Sequence, residues 1–140
     1  MITYFTPDDI LGKWATHDDV TPEVHENIFD LIKRVNAVCE VADMDGIDFP
    51  FNQKTLSYVS GEQYGGFRPQ DCPIGAEHSS HKAGKAVDIF DPKHEISMYF
   101  YKHQALLKEH GLAMEHPSKT LSWAHLTSRL PPSGKTVFYP

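Results

Sequence analysis

Apolar residues recur at intervals of three and four along one stretch of the chain: Val24, Ile28, Leu31, Ile32, Val35, Val38, Cys39 and Ala42. That spacing marks one face of an α-helix. Thr21-Pro22-Glu23 ahead of it supplies a capping side chain, a proline for the first helical position and an acid near the positive helix end. The stretch predicts the longest helix of the chain, carrying much of the core. Thr6-Pro7-Asp8-Asp9 repeats the start signal and predicts a short helix ending near Gly12. Thr55-Leu56-Ser57-Tyr58-Val59-Ser60 alternates as a half-buried strand does. Val87-Asp88-Ile89-Phe90, β-branched and aromatic between breakers, predicts another strand. From His94 to His110, Ile96, Tyr99, Phe100, His103, Leu106 and Leu107 predict an amphipathic helix stopped by Gly111. Leu112–Glu115 and Trp123–Leu126 are strand candidates around a turn at Pro117–Thr120, and Val137-Phe138 is a last small strand. The segments 43–52 and 61–77 read as loops, the second long enough to suggest a functional role. The sum is an α+β fold, with N-terminal helices packed on a small antiparallel sheet.

Composition narrows the function. A chain of 140 residues with 40% hydrophobic content is enough for one core, so residues 1–140 read as one domain. The net charge of -6 argues against a nucleic-acid partner, which calls for a basic stripe. No run approaches the ~18 apolar residues of a membrane span. Met1 to Asp9 lacks the basic region and apolar core of a signal peptide, so synthesis and folding in the cytoplasm are expected, and action on a cell wall would need another route of export. Cys39 and Cys72 do not make a disulfide framework, and Cys39 fits a buried thiol.

Chemistry concentrates in Ser79-Ser80-His81-Lys82-Ala83-Gly84-Lys85-Ala86-Val87-Asp88. Strand alternation puts Asp88 on one face with Ala86 and Phe90, and Val87 and Ile89 on the other. His81 lies in the feeding loop, where Gly84 permits a sharp bend. Loop and strand can thus aim an imidazole and a carboxylate at one point, a pair that suits zinc; a catalytic zinc takes three protein ligands plus water. His125 is the best candidate for the third. The competing readings are a surface histidine, a strand-end acid and a core histidine satisfied by one hydrogen bond. His78 reads as exposed or as a group orienting a ligand, and His94, His103, His110 and His116 show no partner pattern.

The run Ser79-x-His81-x-x-Gly84-x-Ala86-x-Asp88, with Trp123-x-His125 further on, resembles the zinc peptidases grouped with D-Ala-D-Ala carboxypeptidases, a group that includes D-Ala-D-Ala dipeptidases, L-Ala-D-Glu phage endolysins and the hedgehog signalling domain. The resemblance runs from about Val59 to Leu126. It implies zinc held by His81, Asp88 and His125, Ser79 at the substrate, and a peptidoglycan stem peptide containing a D-residue as substrate. It also implies that Arg68, in Gly65-Gly66-Phe67-Arg68-Pro69, stabilises the oxyanion. The glycine- and proline-rich surroundings suggest that Arg68 serves turnover rather than folding.

One position departs from the pattern. The bacterial enzymes of the group carry a glutamate base three residues before the last histidine; here that position is Ser122. Glu115 is the candidate replacement. If Glu115 pairs opposite Trp123 and Ala113 opposite His125, all four share one face, whereas a slip of one residue reverses Glu115. A simple ion pair of Glu115 with Lys119 is the competing reading, and Glu77 is a second candidate acid. The expected activity is that of a zinc metallopeptidase, phage- or prophage-encoded. The alternative is a zinc-binding structural or interaction module, such as a virion component, that has lost the base.

Overall fold

The computed structural model describes residues 4–61, 64–74 and 79–140. Glu77 and His78 lie outside the described residues.

Helix α1 (Pro7–Leu11) starts at a reciprocal capping box, in which the Thr6 side chain accepts from Asp9 N–H and the Asp9 carboxylate accepts from Thr6 N–H. It ends at Gly12. Helix α2 (Pro22–Met44) is capped by Thr21, and every apolar position that predicted it is buried. Between the buried Ile32 and Cys39 the same face carries Asn36, also buried, whose side-chain oxygen accepts from the backbone N–H groups of Tyr4 and Phe5 while its amide donates to the Phe5 carbonyl. Asn36 thereby straps the first described residues onto α2.

After a long irregular stretch come strand β1 (Ala86–Phe90), helices α3 (Glu95–Lys102) and α4 (Gln104–Glu109), then strands β2 (Ala113–Glu115), β3 (Trp123–Thr127) and β4 (Val137–Phe138). A 3₁₀ turn over Pro117–Lys119 joins β2 to β3. The sheet order is β1-β3-β2-β4. Both β1 and β2 pair antiparallel with β3, so they run parallel to each other and need the α3–α4 crossover between them. The two edges of β3 are then occupied, so a further strand can add only at an outer edge of the sheet. There β4 pairs parallel to β2. The sheet is therefore mixed, not wholly antiparallel. Val87, Ile89, Leu126 and Met114 are all buried in one hydrophobic cluster with the apolar face of α2 and with Phe100 and Leu107 of α3 and α4. Among the described residues, no helix is long and apolar enough to cross a membrane.

Two expected elements take another form. Residues 55–60 do not form a strand. Leu56 adopts a left-handed backbone (φ 51°) and is exposed. The Asn52 side-chain amide donates to the carbonyls of Val59 and Ser60, and this closes a tight turn where the alternating pattern suggested extension. Two isolated bridges remain, Ser57 back to Asn52 within the turn and Val59 to Ile89 of β1. The helix from His94 to His110 is broken at His103. There the imidazole donates to the Tyr99 carbonyl (2.7 Å) and stacks on the Tyr99 ring, while the backbone N–H turns to Phe100. The side chain has taken the carbonyl that the next α-helical backbone bond would use.

Candidate metal centre

The site is built on β1 and β3. Asp88 pairs directly across from His125, so the two side chains leave the sheet on the same face, opposite to the core face of Val87 and Leu126. The loop before β1 brings in His81. Gly84 makes that possible in two ways: its φ is +73°, and a Cβ there would lie 2.9 Å from Ile28 Cγ1 and 3.0 Å from the Val24 carbonyl oxygen. A glycine thus lets the loop lie directly on α2.

The ring of His81 is oriented by backbone. Its Nδ1–H donates to the Gly66 carbonyl (2.8 Å), which leaves Nε2 as the basic nitrogen facing Asp88. Gly66 itself sits against α1: a Cβ there would collide with the Ile10 carbonyl oxygen, and the next residue, Phe67, donates its N–H to that same oxygen. Gly65 accepts from Asp88 N–H (2.6 Å). The Gly-Gly-Phe-Arg segment therefore braces both the histidine and the aspartate.

Asp88 Oδ1 is 2.9 Å from His125 Nδ1 and 3.4 Å from His81 Nε2. The ligand atoms of His81, Asp88 and His125 all lie within 4.8 Å of one another, and all three residues are buried. A tetrahedral ion with ligands at about 2.0–2.1 Å has edges of about 3.3 Å, so this spacing needs little adjustment to close around a cation. The group could hold a metal ion. Burial by itself would push the Asp88 carboxyl up, but His81 and His125 outweigh it and hold the group well below the usual carboxylate range. Burial by itself would lower His125; its hydrogen bond to Asp88, with the charges of Asp88 and Glu115, raises it above its ordinary value.

Three other expected site residues, Glu115, Arg68 and Ser79, reach the same cleft, about 420 Å³ in volume. Glu115 projects from β2 with Oε1 3.8 Å from His125 Nδ1. The pairing differs from the expected one: Ala113 faces Thr127 and Met114 faces Leu126, which aligns Glu115 with His125 rather than with Trp123. The shift is two residues, so the face is kept. Glu115 belongs to this cluster and not to an ion pair with Lys119. Arg68 is not an exposed loop arginine. It is buried, donates from Nε to the Tyr64 carbonyl (2.8 Å), and places Nη2 3.5 Å from Asp88 Oδ2. It has a structural part to play as well as a position in the cleft. Ser79 lines the cleft and accepts from His81 N–H.

Ser122 is exposed, and its carbonyl accepts from Asp91 N–H. The Gly66 carbonyl and the wall formed by Phe138 escaped the sequence reading. A backbone acceptor has no residue-type signature, and Phe138 reaches the site only because β4 pairs with β2, its ring edge-on to His125. His94 bonds the Pro117 carbonyl, away from the cluster. A second group, His17, Asp19 and Asp71, is also close enough to share an ion but is half-exposed, and Asp19 already accepts from Gln70 N–H. Cys39 and Cys72 are buried and free, and burial pushes the Cys39 thiol up.

Comparison with protein-family models, curated proteins and solved structures finds no match to this chain.

Proposed function

We infer that the protein is a zinc-dependent metallopeptidase that cleaves peptide bonds in peptidoglycan stem peptides containing D-amino acids. The observation that carries this reading is the carboxylate of Glu115 beside His125, on the cleft side of a buried His-Asp-His group. Two imidazoles and one carboxylate are a donor set suited to zinc with a fourth position open. Bound there, zinc supplies Lewis acidity, acidifying water and polarising a carbonyl. Glu115 accepts the proton of the attacking water and returns it to the leaving amine. Arg68 offers positive charge to the developing oxyanion while keeping its contact with Asp88. Ser79 contacts the peptide at the cleft rim. The motif resemblance supports the choice of substrate, and a phage or prophage origin with release to the wall at lysis belongs to the same reading.

The test is muropeptide hydrolysis followed by mass spectrometry. Glu115→Gln is expected to keep fold and zinc but lose about 10²- to 10⁴-fold in turnover, the range of general acid–base help. Ser122→Ala is expected to stay close to the parent, because that side chain is exposed. Full activity in Glu115→Gln would overturn the assigned base. A second reading, a zinc-binding interaction module, is favoured by the serine at position 122. It takes over if the zinc-loaded protein cleaves no D-residue peptide.

A further inference from the structure

Four side chains stand in one row across the sheet. Asp88 of β1 pairs with His125 of β3, the β2–β3 register aligns Glu115 with His125, and Phe138 of β4 pairs with Glu115. Residues paired across strands share a face, so all four project on the cleft side. The row ends at Phe138. Two strand spacings, about 10 Å, separate its backbone from that of His125. The two ring centroids are nevertheless only 6.1 Å apart, with the rings at 87°. The Phe138 ring therefore leans back along the row, across Glu115, and meets the imidazole edge to face. Its strand fixes it there. The Phe138 carbonyl accepts from His116 N–H and the Thr136 carbonyl from Met114 N–H, both at 2.8 Å. On the opposite face Val137 packs against the core, and Tyr139 stacks on His116 at 4.7 Å between centroids. Both neighbours anchor β4, and the ring between them is given to the cleft.

The path of the proton gives the cleft a direction. Glu115 returns its proton to the leaving amine, so the amine side of the cleaved bond lies toward β2 and β4. The residue that carries this amine comes against Phe138. Rings in contact leave no gap for a side chain between them. A hydrogen or a methyl group can lie against the ring, whereas a longer side chain has to displace it, and forcing extra carbons into filled space is unfavourable. We propose that Phe138 is a specificity-determining residue, limiting the residue on the amine side of the cleaved bond to glycine or alanine. The proposal rests on the peptidase reading for its direction. Among the bonds of a stem peptide it selects one in front of an alanyl residue and rejects those in front of a glutamyl or lysyl residue.

Calorimetry on zinc-loaded Glu115→Gln protein reads the fit without turnover. Two stem pentapeptides are compared, L-Ala-D-Glu-L-Lys-D-Ala-D-Ala and the same peptide ending in D-leucine. The D-alanine peptide is expected to bind at least about tenfold tighter, the scale on which an apolar pocket tells side chains apart. Adding Phe138→Ala should raise the affinity for the D-leucine peptide about tenfold and bring the ratio near one. Phe138→Leu, which keeps an apolar side chain on β4, should fall between, and it carries the test if thermal unfolding shows the alanine variant to be unfolded. A purely structural role for the ring would weaken both peptides instead of favouring one. Equal binding of the two peptides by the parent overturns the proposal. So does a preference that survives both substitutions, a parallel loss for both peptides, or no binding of either. Mass spectrometry of the pentapeptide after exposure to the unsubstituted protein is scored separately. Cleavage in front of D-glutamate overturns the proposal and leaves the peptidase reading. A size preference without cleavage sinks that reading and leaves Phe138 as the size filter of a binding site.

Discussion

Asp88→Asn is a sharp test of the centre, because one carboxylate serves three neighbours. Asp88 contacts His125, His81 and Arg68, and the side chains of Asp88 and Arg68 are only 12% and 11% exposed. The asparagine keeps the shape and removes the charge. Breaking a buried pair from one side costs about 3–5 kcal/mol, since the partner charge stays buried. Here the Arg68 contact is long, 3.5 Å, and Arg68 also has the Tyr64 carbonyl, so the low end of the range applies, about 3 kcal/mol. For a chain of this length that is a fall in melting temperature of roughly 10 °C. Urea unfolding in the presence of a chelator measures it, with an unchanged m-value as the check that the unfolded state is the same. Metal affinity, by competition with a chromophoric chelator, should fall by more than about 100-fold, since loss of a direct ligand exceeds the loss of a supporting group. A metal-free Asp88→Asn protein as stable as its parent would refute the reasoning, because Asp88 would then not be holding Arg68.

The pH dependences of stability and of metal affinity should oppose each other. The raised His125 stabilises the metal-free fold fully below its unfolded value near 6.5 and loses that contribution as pH rises through the raised value, whereas metal must displace the proton and binds better over the same rise; denaturant melts with chelator and metal titrations across pH 5.5–8.5 separate the two. The lowered Asp88 acts on the acid side, its contribution present above about 4 and lost as pH falls toward its folded value. Gly84→Ala should destabilise by more than about 1 kcal/mol, since it combines a left-handed backbone with contact on Val24 and Ile28, and should weaken metal binding through His81; melting and metal titration of one sample test both. Metal analysis should give about one zinc per chain, with His81→Ala losing it and His94→Ala keeping it, because His94 bonds Pro117 away from the cluster.

Much of this was legible where a single local rule governs. The face of α2 follows from its spacing, both helix starts from Thr-Pro, and the Asp88 face from strand alternation. What the sequence could not show depends on contacts distant in the chain. Residues 55–60 alternate correctly, yet Asn52 folds them into a turn. Nothing at His103 announces that its ring will take the Tyr99 carbonyl. The β2–β3 register was two residues off, because alternation constrains parity and not position. Arg68 looked like a loop cation because its surroundings are glycine and proline; its burial follows from Asp88, twenty positions away.

The three residues that could hold an ion come from widely separated places. His81 and Asp88 are seven residues apart with Gly84 between them, and His125 is thirty-seven beyond Asp88. The unfolded chain therefore offers no local chelate from these residues, and an ion held by all three binds the folded form alone. Under that condition each tenfold rise of free metal above the dissociation constant adds about 1.4 kcal/mol to the resistance to unfolding. The working lifetime of the molecule then depends on the metal supply of its surroundings. Where the ion is scarce, proteases meet an open chain more often, so the same sequence is durable in one medium and short-lived in another.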